Sequence, residues 1–571
     1  MVLVTAEVKN LRSYIKNISD SVPDIQRHNI RYRAADHYKG CKEMITMAED
    51  NKNAKTDSQV PEQKPNLPGE AANAAPADIQ QFYKKEDKLF LAGALLLGIL
   101  FTWLFYGKNP GVSVPLFVTA FYVLFFAYVR PVTDKKAVFG WFLCIPVLMI
   151  SLAFSFFRNS TLMVLNILAL PWLIALQTVL VTGTNNFRWY SPGIIVDLIY
   201  CFFARVIVHA AKPFLMFASM VRSKTGGEKK STVLRVITGL VIALPILLIL
   251  LLILSSADMV FGKLVEKLPD LLNSLNLGKV FIKILLTLII FICSFSYIWS
   301  LKHKEKFLDI DNGLISAKSA DEKRRWDPVV LVTVTACIDL LYIFFVIIQF
   351  AYLFGRSGLP EGLTYSEYAR NGFSELILVS LLNMGWLALT LTYTKKGKRG
   401  LDITFRILNT ITVCCTYVML LSAYYRMLMY EEAYGFTFLR VMTQVFMIFL
   451  FVLFSTTLVR VWNDRIPLLK PYIAAAVIAF IVINYINVDA MVAKKNVDRY
   501  FETGKIDIYY FNSLSNDAVA ELVRLVDADD PEVAEKAAEI LADRKERIYE
   551  RTDWQSFNLA DLRAKRAISG K

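Results

Sequence analysis

Residues 89–106 read LFLAGALLLGILFTWLFY, a stretch of 18 residues without a charged side chain. A helix of that length covers most of the roughly 30 Å hydrocarbon core of a bilayer. Comparable stretches recur as far as residue 488, and 55% of the chain is hydrophobic. Soluble domains contain about 45–50% apolar residues, and here the excess lies in blocks. The sequence therefore predicts an all-α integral membrane protein.

Eleven apolar runs of membrane-spanning length are predicted to be transmembrane helices. They are Leu89–Tyr106, Val112–Val129, Val138–Phe157, Leu162–Val181, Val236–Leu254, Val280–Trp299, Val329–Leu353, Ser374–Tyr393, Ile403–Ala423, Val441–Val459 and Tyr472–Val488. Pro146, Pro171 and Pro245 fall inside three of them. We expect kinks there, because neighbouring helices can satisfy the carbonyls that a proline leaves free.

Lysine and arginine are concentrated in alternate connections between these runs. The basic set includes Arg130, Lys135 and Lys136 in one connection and Lys395, Lys396, Lys398 and Arg399 in another. Basic connections stay on the cytoplasmic side of a membrane. With eleven spans, the amino terminus is then cytoplasmic and the carboxyl-terminal tail extracytoplasmic.

The segment Ile194–Val221 is also apolar, but Asp197, Arg205 and His209 share one face of its predicted helix. An amphipathic helix of this kind is typical of the membrane interface. A twelfth span would also place the basic Arg130–Lys136 connection on the extracytoplasmic side. We therefore predict an interfacial helix, with a further span as the alternative.

The two ends of the chain differ from the apolar middle. Residues 1–50 are polar and predict a small cytoplasmic helical segment, and residues 51–88 are rich in Pro, Ala, Asn and Gln, which predicts a flexible linker. Residues 89–488 form the predicted transmembrane domain, and residues 489–571 a small extracytoplasmic helical domain. Gly504, Ser515 and Asp530-Pro531 are the predicted helix ends and starts in that domain. It either binds a partner or packs as a lid on the membrane domain.

Asp339 is the clearest ionisable side chain inside a predicted span, with Thr335 and Tyr342 on the same side of the helix. Charge inside a membrane is energetically costly, so such a residue is a functional candidate. It could bind a proton or a cation. The alternative is a structural aspartate that is hydrogen-bonded to Tyr or Thr of a neighbouring helix.

Three polar clusters are predicted at the outer ends of the spans, and together they suggest one outward-facing ligand site or docking surface. The candidate residues are Arg426, Tyr430, Tyr434 and Arg440 at a tight helical corner; Tyr365, Glu367 and Arg370 in the loop after the seventh span; and Asn487, Asp489, Asn496 and Arg499 where the last span meets the tail. Arginines and tyrosine hydroxyls can bind an anionic headgroup or a carboxylate. For the corner, an aromatic belt with arginines paired to Glu431 or Glu432 is the alternative.

No cofactor or metal site is predicted, because the seven cysteines form no CxxC pair and no two of the four histidines share a helix face. The net charge of +14 lies in the connections, which favours contact with lipid headgroups over nucleic acid. No catalytic residue is assigned, because the common nucleophile, zinc and nucleotide motifs are absent.

Several long motifs resemble a bacterial family of multi-pass membrane proteins, domain of unknown function 4173, which is close to the 4153 group. They are LPEGLTYSEYARNGFSEL (359–376), RMLMYEEAYGFTFLR (426–440), NVDAMVAKKNVDRYFETGKID (487–507) and LSNDAVAEL (514–522). Together with the pattern of spans, the resemblance covers roughly residues 89–560. It implies the bacterial cytoplasmic membrane, and it supplies no reaction or cofactor.

Three functions are consistent with the sequence. The favoured hypothesis is a non-enzymatic sensor or scaffold whose outer face and helical tail bind a protein partner or ligand. The second is a secondary transporter that uses Asp339. The third is an enzyme that acts on a lipid-linked substrate, with Glu367, Glu375, Glu431, Glu432 or Asp489 as acid or base and Arg426 or Arg440 as phosphate ligand.

Overall fold

The computed structural model describes residues 83–130, 137–224, 277–303, 326–350, 372–394 and 398–570, with isolated positions between 239 and 263. Helices dominate these residues, and none of them belongs to a β-strand. Residues Gln81–Lys571 form one compact unit. The predicted amino-terminal segment lies outside the described residues. The first described helix begins at Lys85, inside the predicted linker.

The described α-helices before residue 304 are α1 Lys85–Phe105, α2 Ser113–Tyr128, α3 Val138–Phe142, α4 Cys144–Phe156, α5 Ser160–Thr182, α6 Ile194–Ile199, α7 Arg205–His209, α8 Lys212–Lys224 and α9 Leu277–His303. Those after it are α10 Pro328–Gln349, α11 Phe373–Tyr393, α12 Arg399–Tyr434, α13 Phe438–Trp462, α14 Leu469–Tyr485, α15 Val488–Thr503, α16 Val519–Leu525, α17 Pro531–Tyr549 and α18 Leu559–Ser569. Tyr200–Ala204 is a π-helical turn between α6 and α7.

The fold class is confirmed: the chain is an all-α multi-pass membrane protein. Among the described residues, nine helices are long and apolar enough to cross a membrane. A tenth candidate is the pair α14 and α15, which is bent by 54°. The 16-residue helix α2 matches the predicted second span but is shorter than the others. Most of the predicted span Val236–Leu254 lies outside the described residues.

Helices α1, α2, α4, α5 and α9 form the amino-terminal bundle, whose core consists largely of aromatic side chains. Phe90 stacks on Tyr128 with ring centroids 3.8 Å apart and on Phe295 at 4.9 Å. Ala94, Gly98 and Thr102 lie on one face of α1, where their small side chains allow α9 to approach closely.

Helices α10 to α13 form the carboxyl-terminal bundle, and α14 lies between the two bundles, packing on both α13 and α4. Residues 488–570, here called the cap, cover one end of both bundles. The Val112 amide donates to the Phe557 carbonyl (3.0 Å), and the Asn558 side chain donates to the carbonyls of Phe154 (2.7 Å) and Phe157 (2.9 Å). The cap is therefore packed against its own membrane domain, as in the lid alternative.

The segment Ile194–Phe217 differs from the interfacial prediction. Asp197 and His209 are only 6% and 4% exposed, and Asp197 accepts hydrogen bonds from the amides of Asn186 (2.8 Å) and Phe187 (2.9 Å). The opposite side exposes the apolar residues Ile195, Ile199, Phe203 and Ile207. The polar stripe thus faces protein instead of water, which contradicts the reason for predicting an interfacial helix. The segment is one of the nine candidate spans.

Most predicted helix ends are present. Thr437 caps α13 by accepting from the Arg440 amide, and Asp530 caps α17 with Pro531 as its first residue. Gly435 and Gly504 follow α12 and α15 with φ of 82° and 71°, values that glycine adopts without strain. Pro171 lies inside α5, whereas Pro146 lies in the first turn of α4, three residues after the irregular Leu143.

Candidate functional site

A track of polar side chains runs between α10 and α12 inside the carboxyl-terminal bundle. Asp339 lies at the middle of the 22-residue helix α10 and is 2% exposed. Its Oδ1 accepts a hydrogen bond from the Thr412 hydroxyl of α12 at 2.6 Å. One turn away along α10, the hydroxyl of Thr335 accepts from the indole N–H of Trp386 in α11 (3.3 Å).

The track continues toward the cap through a second set of contacts. The Tyr342 hydroxyl donates to Asn383 Oδ1 (2.6 Å), and Asn383 Nδ2 donates to the Thr416 hydroxyl (2.9 Å). Further along, the Ser422 hydroxyl donates to Gln349 Oε1 (2.5 Å). Three helices of the bundle are thus joined by side-chain hydrogen bonds at successive depths.

Two buried oxygens on the helices that this contact joins have no donor among the described residues. They are the second carboxylate oxygen, Asp339 Oδ2, and the amide oxygen of Asn409, which lies one turn before Thr412 on α12. Buried oxygens of this kind normally accept a hydrogen bond or bind a cation. The Thr412 contact matches the structural role predicted for Asp339, but that role does not explain the two remaining oxygens.

The predicted corner is built as an interlocked turn between α12 and α13. The rings of Tyr430 and Tyr434 meet edge to face at 5.0 Å. The Arg440 guanidinium lies 4.2 Å from the Tyr430 ring, and it donates to the carbonyls of Tyr434 (3.2 Å) and Gly435. Its donors therefore hold the turn.

Two further side chains of the corner are buried. Arg426 is 8% exposed and points at Gly372, where an added Cβ would meet its Nη1 at 2.6 Å. Glu431 is fully buried and accepts from the Gln444 side chain at 2.7 Å. The loop candidates Tyr365, Glu367 and Arg370 lie outside the described residues.

The cap joins this corner through two of the predicted residues. Asn496 clamps Phe436, accepting from its amide (2.8 Å) and donating to its carbonyl (2.7 Å). Arg499 donates to the carbonyls of Glu432 (3.2 Å) and Ala433 (2.9 Å). The structure therefore brings the corner and tail clusters together, and their polar groups bind each other.

The other two tail candidates belong to a second junction, between the cap and the amino-terminal bundle. Asp489 is 3% exposed and accepts from Asn159 Nδ2 (2.8 Å) and the Ser515 amide (3.0 Å). Asn487 caps α15 from the left-handed region (φ 51°) and donates to Asp517 (3.2 Å).

Sequence reasoning missed the partners at this junction. Asp517 accepts from the Arg158 amide at 2.9 Å, and burial raises the pKa of its carboxyl. Arg544 donates to the carbonyls of Ser515 (2.7 Å) and Leu514 (2.8 Å), and burial lowers the pKa of its guanidinium to about 10. Asp561 faces Arg158 at 3.9 Å. Polar residues on an amphipathic helix look solvated in the sequence, so no local signal identifies these partners.

Neither junction has the arrangement of an open catalytic site. Asp489 and Asp517 both bind Ser515, but Asp489 is buried and Asp517 half-buried, and each already accepts from several donors. Within the described ranges, no group of three or more His, Cys, Asp and Glu residues is arranged to hold a metal ion.

Comparison with known families identifies the chain. The profile of the family described as Domain of unknown function (DUF4153) matches residues 144–525, about two thirds of the sequence. The chain belongs to this family. The suggested membership of the 4173 family is not shown, and the related 4153 group takes its place. No curated protein and no solved structure matches the chain. The family is described as a domain of unknown function, so membership assigns no reaction to this chain.

Proposed function

We propose that the membrane domain of this DUF4153 protein binds a proton or a small cation at Asp339 and acts as a secondary transporter. The observation that carries this proposal is the Asp339 Oδ2, which has no partner within the described part of the chain and belongs to a carboxylate that is 2% exposed at the middle of a candidate span. A charged carboxylate at that depth is costly unless something compensates it. Proton binding removes the charge, and a bound cation balances it.

The neighbouring groups suit either occupant. A protonated Oδ2 becomes a donor, and the amide oxygen of Asn409, which has no donor among the described residues, lies on α12 one turn before the Thr412 that binds Oδ1. A small cation would use the same two oxygens, because hard cations prefer carboxylate and carbonyl oxygens as ligands. Occupancy would change how α10 contacts α12, which gives a bound ion a way to alter helix packing.

An infrared titration of the reconstituted protein tests the proposal without knowledge of the transported solute. The wild type should show a protonated carboxyl band that is lost as the pH rises, and Asp339→Asn should lack this band. Asp87→Asn is the matched control, because Asp87 is also buried but binds the Tyr128 hydroxyl (2.8 Å) and faces Lys302 (3.8 Å). An Asp339→Asn spectrum identical to that of the wild type at every pH, with or without Na⁺ or K⁺, would contradict ion binding.

Transport itself requires a second measurement. Proteoliposomes with an imposed pH gradient should accumulate a solute from a defined mixture, read by mass spectrometry of the vesicle contents. We expect Asp339→Asn to abolish accumulation and Thr412→Val to reduce it. Thr457→Val is the control, because Thr457 contacts Tyr472 of α14 and lies outside the track. Ion binding without accumulation of any solute would point to a proton sensor.

A non-enzymatic sensor or scaffold is the second candidate, and a different observation favours it. The cap is fixed to both bundles, yet it exposes aromatic residues on its free surface: Phe501 is 53% and Tyr509 63% exposed. Each ring lies beside a cation, Arg524 at 5.5 Å and Lys536 at 5.3 Å. Aromatic and arginine side chains are enriched where proteins bind partners.

Crosslinking in intact cells, followed by mass spectrometry, tests this second function. Phe501→Glu with Tyr509→Glu should remove partner crosslinks, whereas Glu535→Lys with Glu546→Lys changes charge elsewhere on the cap and should keep them. Deleting the cap is a poor test because it would expose groups of the membrane domain that the cap covers, such as the carbonyls of Phe154 and Phe157 that accept from Asn558. Unchanged crosslinks in the variant with Phe501→Glu and Tyr509→Glu would show that this surface of the cap is not a docking site.

For both candidates we propose that the cap end is extracytoplasmic. Arg130 and Lys398 lie at the opposite end of helices α2 and α12, whose other ends meet the cap, and basic connections favour the cytoplasm. In a cysteine-free background, Lys108→Cys should react with an impermeant maleimide in intact cells, and Lys398→Cys should not. Labelling at position 398 and not at position 108 would show that the cap end is cytoplasmic.

A further inference from the structure

A cavity of about 290 Å³ lies where the cap meets the first connection of the membrane domain. Gly107–Asn109 forms one wall, and Arg547, Glu550, Arg551 and Asp553 line the other. This size suits a small polar group, since pockets for larger ligands extend to about 1,000 Å³. The cavity is separate from the Asp339 track and from the buried contacts of Asp489.

The charges of this cavity are mixed. Lys108, Arg547 and Arg551 bring three cations, and Glu550 and Asp553 bring two carboxylates. The cations have partners that occupy only part of their donors: Lys108 binds the Trp103 carbonyl (3.3 Å), Arg551 faces Asp561 (3.5 Å), and one nitrogen of Arg547 is paired with Asp543. An ammonium carries three donors and a guanidinium five, so several remain for a ligand. In the described part of the chain, neither carboxylate has a side-chain ion pair.

The rim of the cavity has exposed tryptophans, as is typical of a protein at the membrane surface. Trp103 and Trp554 are 54% and 49% exposed, and their ring centroids are 5.3 Å apart. Tryptophan is enriched at the boundary between hydrocarbon and water. Trp103 also continues the exposed apolar face of α1 formed by Leu89, Leu96 and Ile99. A lipid lying along this face would place its head group at Lys108.

We propose that the cavity binds the head group of a membrane phospholipid that carries both a phosphate and a primary ammonium group, as in phosphatidylethanolamine. The phosphate lies against Lys108, Arg547 and Arg551, where charge-assisted hydrogen bonds are strongest. The ammonium lies against Glu550 and Asp553. An anionic head group would leave the two carboxylates without a partner, and a choline group has no N–H to donate to them.

Native mass spectrometry of the delipidated full-length protein tests this assignment. The protein is offered equal amounts of phosphatidylethanolamine, phosphatidylcholine and phosphatidylglycerol with the same acyl chains. We expect retention of the ethanolamine lipid to exceed that of the others by about tenfold, the ratio given by one additional charge-assisted contact of roughly 1.4 kcal/mol. Equal retention of the choline lipid would overturn the proposal.

Charge variants separate recognition from folding. Lys108→Ala with Arg547→Ala should remove the preference, whereas Lys536→Ala, on the same helix α17 but not among the residues that line the cavity, should keep it. Glu550→Gln with Asp553→Asn should move the preference toward phosphatidylglycerol, a change that misfolding would not produce. The same preference in all three variants would refute the assignment.

A soluble probe distinguishes a lipid from a free metabolite. Phosphoethanolamine without acyl chains should bind the delipidated protein at least about a hundredfold more weakly than the lipid, because it lacks the contacts of the chains along α1. Binding of the soluble compound as tight as that of the lipid would replace the membrane lipid with a metabolite as the ligand, and the lipid proposal would fall.

Discussion

The two bundles of the membrane domain differ in the contacts at their centres, although hydrogen bonds such as Asp87–Tyr128 and Thr102–Thr287 also join helices of the amino-terminal bundle. In the amino-terminal bundle, aromatic rings stack across α1, α2 and α9, as Phe90, Tyr128 and Phe295 show. In the carboxyl-terminal bundle, side-chain hydrogen bonds join α10, α11 and α12, as between Asp339 and Thr412. Lipid tails are as apolar as the helices, so association in the membrane depends on packing and on such polar contacts.

This difference indicates where the molecule can change its conformation. Interlocked rings have one well-packed arrangement, and moving them opens voids. Hydrogen bonds between threonine, tyrosine and asparagine can exchange partners when a neighbouring group gains or loses a proton. We therefore interpret the amino-terminal bundle as a rigid support and the carboxyl-terminal bundle as the part that responds to an ion.

The largest expected effect comes from removing a central ring of the rigid bundle. Phe90→Ala deletes a side chain that is 2% exposed and touches two aromatic partners. We expect a loss of about 3 kcal/mol in unfolding free energy, because the cavity cannot close between helices. Phe344→Ala in α10 is the control, since Phe344 is 63% exposed and should contribute little.

Reversible denaturation or steric trapping in bicelles measures both variants. If Phe344→Ala is as destabilising as Phe90→Ala, the aromatic core has no special role in the amino-terminal bundle.

A glycine in each bundle gives the second prediction. A Cβ at Gly98 would lie 2.6 Å from the Thr287 carbonyl oxygen, so Gly98→Ala forces α1 and α9 apart and should cost roughly 1–3 kcal/mol. At the same position on Gly385 in α11, no atom of the described residues lies within 4 Å, and Gly385→Ala should be neutral or stabilising because alanine favours helix.

Thermal unfolding followed by loss of a folded-state fluorescence signal compares these two glycine variants under identical conditions. Equal melting temperatures for both would mean that close helix approach does not distinguish the bundles.

The features that the sequence predicts correctly are local. Apolar runs of sufficient length identify the spans, and Thr437 and Asp530 mark helix starts because their side chains accept from amides two or three residues ahead. Asp339 stands out because charge is rare in an apolar run. Its contact with a threonine of another span was among the predicted alternatives.

The features that the sequence leaves open depend on contacts between distant residues. Asn558 binds carbonyls about 400 positions earlier, and nothing near residue 558 indicates that partner. Asn496 and Arg499 have the chemistry of a binding site, but the structure shows their donors and acceptors used on the corner at residues 432–436. Asp197 does share a helix face with His209, as predicted, but that face packs against protein and not against water. The periodicity of a sequence shows which residues share a face, and it does not show what that face contacts.

The smallest expected effect concerns the way the cap holds each bundle. Its contact with the amino-terminal bundle includes the carboxyl of Asp517, whereas Asn496 and Arg499 hold the other bundle through backbone groups. Burial raises the pKa of Asp517 above its value in the unfolded chain, so the folded protein binds the proton more tightly. The stabilisation from this group is complete below the unfolded pKa and is lost as the pH rises through the folded pKa.

Lowering the pH from neutral toward 5 should therefore stabilise the wild type relative to Asp517→Asn, by about a degree in melting temperature for a fraction of a kcal/mol. Other carboxylates titrate in both proteins and cancel in the difference. Asn496→Asp adds a carboxyl at the other contact. In that comparison the variant, and not the wild type, should gain stability as the pH falls, because the charged form of the new carboxyl would face the Phe436 carbonyl that Asn496 now donates to at 2.7 Å. A difference between wild type and Asp517→Asn that does not change with pH would show that the two contacts of the cap respond alike to protons.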